Sequence, residues 1–228
     1  MTVFFTQFVR NTRGVALLEF AFVLPFLLVI FLGGAELARY IVISQKLEQA
    51  AYVITNMTAQ YPRATTSAPK AGELHEYELT DNVFSNVPRI IDPYTGGAAN
   101  PRVVGILTSI RREGAQTRVK WQLGGGGSLG GVLSEVNGFG PFRPPNPAAK
   151  NSPVTFGGEK AGLIAGMYDG ENIIIGEIFY NYQPFLAGVL TGLGLNIPAA
   201  QLYRSVFVSP RGEPLICLPP AFTYSECP

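Results

Sequence analysis

Histidine is almost missing: His75 is the only one in 228 residues, and cysteine occurs twice, as Cys217 and Cys227. One imidazole and two thiols do not complete the four-ligand shell of a zinc site, which argues against a protein-only zinc centre. Charge is scarce as well. Lys, Arg, Asp and Glu make up 14 % of the chain and net charge is +1, so charge gives no argument for nucleic acid or a strongly acidic partner. The chain has no G-x-S-x-G in a suitable context, its G-G-S-L-G at Gly126–Gly130 lying inside a glycine run, and no H-E-x-x-H; the run at Gly124–Gly127 also lacks the Gly-Lys-Ser/Thr ending of a phosphate loop. His75 stands among Glu73, Glu76 and Glu78 and reads as a solvated side chain rather than a general base. Carboxylate pairs stay open, but no catalytic set, metal site or cofactor motif emerges, and the chain is not expected to be an enzyme.

What is abundant is apolar residues, 47 % of the chain, together with 26 glycines and 18 prolines. The glycines and prolines predict short strands and many loops. The apolar residues concentrate near the N-terminus. From Val15 to Gly34 every residue is apolar except Glu19. Twenty residues of helix rise about 30 Å, the thickness of a bilayer's hydrocarbon core. A carboxylate inside such a run is costly and calls for a partner; snorkelling to the interface is the plainer alternative. Arg10 and Arg13 precede the run with no acid beside them, which favours a cytoplasmic N-terminus and an exported remainder. Pro25 lies within the run and predicts a kink, which membrane helices tolerate.

Three fates of this N-terminus compete: a signal peptide cut near Gly33-Gly34-Ala35, a permanent anchor, or a leader cut between Gly14 and Val15, before the apolar run. The third explains more residues. Cleavage there frees an ammonium at Val15, which pairs with Glu19 either one helical turn away in the same chain or in a neighbouring subunit.

Helical periodicity continues past the run. Leu37, Ile41, Ser44, Leu47, Ala51, Ile54 and Thr58 form a stripe, while Glu36, Arg39, Gln45, Lys46, Glu48 and Gln49 fall mostly off it. The helix is expected to end near Gln60, because Pro62 disfavours helix before it. Unbroken from Val15, it is about 70 Å long.

The string G-V-A-L-L-E-F-A-F-V-L-P from Gly14 to Pro25 resembles the start of TadE-like pseudopilins, the minor pilins of tight-adherence (Flp-type IVb) pili. Gly14, Glu19, Phe20, Ala21, Val23, Leu24 and Pro25 fit that pattern, and A-E-L-A-R at Ala35–Arg39 is similar as well. The resemblance implies a pilin-like subunit processed after Gly14 by a prepilin peptidase and needed for pilus assembly. Glu19 would take the N-terminal amine. The implied partners are that peptidase, other pilins and pseudopilins, the inner-membrane assembly platform and membrane lipid. The implied place is the bacterial inner membrane, with the C-terminal part periplasmic. An anchored binding or adhesion module outside any filament is the alternative.

The expected organisation is a leader over 1–14, a membrane helix over 15–35, an amphipathic continuation over 36–60 and an outer α+β domain over 61–228, in which a small antiparallel sheet packs on the long helix. Residues 61–72 read as a linker, and Asp81–Asn86 as a short helix. Strands are expected at Arg102–Arg111, Thr117–Leu123, Glu171–Gln183 and Leu202–Val208, with Arg112–Gln116 as a hairpin turn. Val119, Trp121 and Leu123 alternate with Arg118, Lys120 and Gln122, predicting a strand with a charged outer face. Ile174, Ile178, Tyr180 and Tyr182 are placed on one face of the third strand. Leu123–Pro153 reads as a mobile loop, and Glu159–Met167 as a helical turn. Pro184–Asn196 reads as an apolar segment starting a helix at Pro184, too short to span a bilayer. Cys217 and Cys227 are placed to close a small disulfide loop in an exported domain, two separate thiols being the alternative.

Overall fold

The computed structural model describes residues 14–61, 79–94, 102–125, 132–138, 151–156, 161–192 and 199–211. The expected linker, His75, the glycine run beyond Gly125, and Cys217 and Cys227 lie wholly or almost wholly outside these residues. The architecture is α+β. Helix α1 runs Val15–Gln60, α2 Asn86–Ile91, α3 Ala161–Ala165 and α4 Ala187–Gly192; the strands are β1 Val103–Glu113, β2 Gln116–Gly125, β3 Asn172–Tyr182 and β4 Ala200–Val208. The chain divides into two compact units: Met1–Val42 with Pro184–Pro198, and Ile43–Gln183 with Ala199–Pro228.

The second unit is built on a four-stranded antiparallel sheet in the order β2-β1-β3-β4. β1 and β2 join through a tight turn in which Gly114 adopts φ +58°, a conformation glycine takes without strain. One sheet face packs on the C-terminal part of α1. Ile43, Leu47, Ala50, Ala51 and Ile54 of the helix meet Leu107, Trp121, Leu123, Ile174, Ile178 and Tyr180 of the sheet in one buried cluster, completed by Phe84, Val87 and Ile91. Helix and sheet approach closely at Gly176. A Cβ there would lie 1.8 Å from Thr55 Oγ1, so only glycine lets helix and strand come this near. Thr55 and Thr58 turn their hydroxyls back onto the carbonyls of Ala51 and Ile54, at 2.5 and 2.7 Å, which satisfies both hydroxyl donors within the helix. The last turn of α1 is closed by the Arg211 N–H, which donates to the Ala59 carbonyl at 3.1 Å.

The predicted helical stripe holds from Leu47 onward, but Leu37 and Ile41 are exposed, and burial begins instead at Ile43. Two further points concern local structure. The helix expected at Asp81–Asn86 is present two residues earlier as a short π-helix over Leu79–Phe84, followed by α2; Pro88 sits in the first turn of α2, where a missing N–H costs nothing. The Lys46 ammonium holds the end of α2 by donating to the carbonyls of Ile90, at 3.1 Å, and Asp92, at 2.6 Å.

The expected outer face of β2 is also corrected. The pairing steps from Ser109–Trp121 to Ile110–Val119, so Lys120 is an extra residue in a β-bulge. The bulge sends Val119 to the opposite face from Trp121 and Leu123, where it packs with Ile110, Val136, Met167 and Ile175. That second face is covered rather than solvated. Val132 packs there on Val104, Ile106 and Phe179, and Gln122 is buried. Residues 151–154 run beside the outer edge of β2, with Val119 N–H donating to Ser152 O at 2.9 Å and Val154 N–H to Thr117 O at 2.8 Å. Parts of the region expected to be a mobile loop therefore complete the sheet and shield its edge.

Candidate functional site

The N-terminal helix carries the residues singled out in the sequence. Gly14 immediately precedes α1, and a Cβ built on it meets nothing within 4 Å. Val15 opens the helix and Glu19 lies four residues on, the spacing that places two side chains on one helical face. Pro25 lies inside the helix, which carries through it as one element. All residues from Gly14 to Phe31 are exposed. Phe26 is 71 % and Phe31 72 % exposed, so this run is not the core of a folded domain. It is the one helix among the described residues long and apolar enough to cross a membrane. An unpaired carboxylate well inside hydrocarbon costs about 2.5–3.5 kcal/mol even on lenient scales.

The second acid of the helix has a structural role the sequence did not reveal. Glu36 lies 4.0 Å from the Arg39 guanidinium, and its Oε2 accepts the Phe185 N–H at 3.3 Å. Phe185 belongs to the turn before α4, and the Ala187 N–H closes that turn on Pro184 O at 3.2 Å. Helix α4 thus begins three residues later than expected, after a turn opened by Pro184. The two partners are separated by 149 positions, so no local pattern signals the contact.

A polar cluster is buried on the second face of the sheet. Glu177, in the middle of β3, is fully buried. Its carboxylate accepts the Glu135 N–H at 2.9 Å and the Tyr203 hydroxyl at 3.0 Å, and takes the Ser134 hydroxyl as well. Ser134 Oγ in turn accepts from Gln122 Nε2 at 3.1 Å, and the same amide donates to Thr108 Oγ1 at 2.9 Å. Burial, and next the neighbouring Glu177 charge, push the Tyr203 hydroxyl well above its ordinary pKa. These groups hold residues 132–136 onto the sheet. A cleft of about 310 Å³ lies at the β1–β2 turn and is lined by Arg112, Gln116, Thr117, Val154 and Ile164 among others. Arg112 is the one ionisable side chain in that lining, which makes a poor set for chemistry. Among the described residues no group of three or more His, Cys, Asp or Glu is placed to hold a metal ion.

The family model described as TadE-like protein matches residues 14–54. The match starts at Gly14, takes in Glu19, Pro25 and Glu36, and ends within α1. No curated protein and no solved structure matches the chain.

Proposed function

We propose that this chain, TadE-like through its N-terminal helix, acts as a pseudopilin (minor pilin) of a tight-adherence pilus system. The observation that carries the reading is Gly14, Glu19 and Pro25 at family spacing in a fully exposed apolar helix. In this reading α1 anchors the chain once in the bacterial inner membrane. Arg10 and Arg13 keep the N-terminus cytoplasmic, and the sheet domain faces the periplasm. A prepilin peptidase cuts between Gly14 and Val15. The new ammonium on Val15 then neutralises the Glu19 carboxylate of a neighbouring pilin, because two opposite charges in hydrocarbon are far cheaper together than apart. That pairing sets the axial register as the assembly platform adds subunits. The protein has no catalytic role, and the sheet domain works as a presented surface.

Mass spectrometry of the protein from its native membrane tests the reading. A mature chain starting at Val15 is expected, whereas one starting at Met1 or beyond Ala35 overturns it. Glu19→Ala is expected to insert normally and abolish piliation. Normal piliation in that variant rejects the pairing. Recovery of the protein with sheared pilus fibres distinguishes incorporation from service as a stationary anchored adhesion module.

A further inference from the structure

The segment after β3 has an unusual composition. From Ile178 to Tyr203 there is no charged residue, and Pro184–Pro198 reads P-F-L-A-G-V-L-T-G-L-G-L-N-I-P. It is too short to span a bilayer. Phe185 is 48 % exposed, and the segment groups with the first unit, the one that holds the long apolar helix. Two of its polar groups pair within the segment: the Ala187 N–H returns to Pro184 O at 3.2 Å, and the Thr191 hydroxyl returns to Ala187 O at 2.7 Å. Polar groups paired in this way suit a weakly polar medium.

Its depth is fixed by a tether. Glu36 is the first charge after the long apolar run, and with Arg39 it marks where α1 leaves the hydrocarbon. Tyr40, exposed one turn beyond Glu36, is the residue type that favours the headgroup level. The Phe185 N–H on Glu36 Oε2 therefore holds the start of the uncharged segment at that same level. We propose that Pro184–Gly192 is a second membrane contact, a reentrant-free patch lying in the headgroup–acyl boundary of the outer leaflet beside α1. A lipid surface fits this patch because Phe185 is an exposed apolar side chain on an uncharged segment that groups with, and hydrogen-bonds to, the long apolar helix. Interfacial segments of this kind sink about 5–10 Å into the boundary. The proposal needs α1 to be in a membrane but does not depend on cleavage after Gly14 or on any pilus.

The test uses the full-length protein reconstituted in vesicles of phosphatidylethanolamine and phosphatidylglycerol, with brominated lipids as depth-resolved quenchers. Phe185→Trp is one reporter. Gly188→Trp is the second, because an added Cβ there meets nothing within 4 Å. Trp121 is buried in the sheet unit, so the unsubstituted protein serves as the blank. Both reporters are expected to emit to the blue of a water-exposed indole and to lose most of their emission to lipids brominated near the headgroup, with less loss to deeply brominated lipids. Water-like emission without lipid quenching overturns the proposal. Blue-shifted emission without lipid quenching also overturns it, and assigns the patch to another protein subunit. Phe26→Trp, in the middle of the apolar run, is the control. Failure of deep quenching there shows that α1 itself is not inserted, a separate failure from that of the patch.

Discussion

Glu177 shows how one buried charge can organise a surface that sequence patterning assigns to solvent. It occupies a strand position whose neighbours across the sheet, Ile106 and Ser205, carry no charge, and it is satisfied by a backbone N–H and two hydroxyls. Tyr203 bears the cost of this arrangement at high pH. Its folded pKa is raised, by burial first and by the Glu177 charge next, so the folded state favours the neutral phenol. That contribution to stability is complete below the unfolded pKa of about 10 and is lost as pH rises above it toward the folded value. Urea unfolding at about pH 8 and about pH 11, which bracket the unfolded value, reads this directly. The parent protein is expected to lose more stability between the two than Tyr203→Phe does. Equal losses would show that the phenol is not held neutral by the fold. Glu19 belongs to the same scale but to another solvent. Its value lies in what pairs with it, and its identity and spacing are visible in the sequence because membrane helices leave so little room for chance charges.

At the scale of elements, the strands were legible as short runs rich in Val, Ile, Leu and aromatic residues bounded by turn residues, with alternation clear at Thr117–Leu123. The expected Ile174, Ile178, Tyr180 and Tyr182 do share the face that meets α1. The second face was not legible. Its covering comes from residues 132–138 and 151–156, embedded in a Gly- and Pro-rich stretch, and its centre is polar: Thr108, Gln122, Ser134 and Glu177. Alternation also misplaced Val119, because a bulge at Lys120 reverses the phase and leaves no local mark in residue type. The long apolar helix was legible, whereas the Glu36–Phe185 tether was not. Glycine's role at Gly176 likewise becomes visible only once α1 lies across β3. Gly176→Ala is expected to cost about 1–3 kcal/mol, the usual range for forcing an extra methyl into a packed interface. Thr55→Ala removes the atom nearest the new methyl, so the double variant is expected to be more stable than the sum of the two single losses predicts. Additive losses in a double-mutant cycle, read by urea unfolding, would mean that helix and strand do not meet at these two residues.

Over the whole chain, the two compact units follow two different demands for apolar surface. Exposed Leu, Phe, Val and Ile side chains from Val15 to Phe31 suit hydrocarbon, whereas buried positions start at Ile43 and continue to Ala59 on the same helix. One continuous helix therefore carries an exposed apolar stretch of the kind lipid covers and one wall of a protein core. The hydrophobic core of the sheet unit is complete without the first 35 residues: Ile43, Leu47, Ala50, Ala51 and Ile54 come after them, and the remaining members of the cluster come from the sheet, α2 and the π-helix before it. A chain lacking residues 1–35 is accordingly expected to fold in buffer without detergent. Trp121, the one tryptophan, is 1 % exposed in that core and reports on it directly. Its fluorescence and far-ultraviolet circular dichroism are expected to change together in one urea transition, the behaviour of a small cooperative domain. Ile54→Ala in that background removes a fully buried side chain at the helix–sheet contact and is expected to lower stability by about 2–5 kcal/mol. A truncated chain whose Trp121 emission is water-like before any urea is added would show that the outer core needs the membrane segment to form, and the division of α1 between lipid and protein would then not be one between independent folding units.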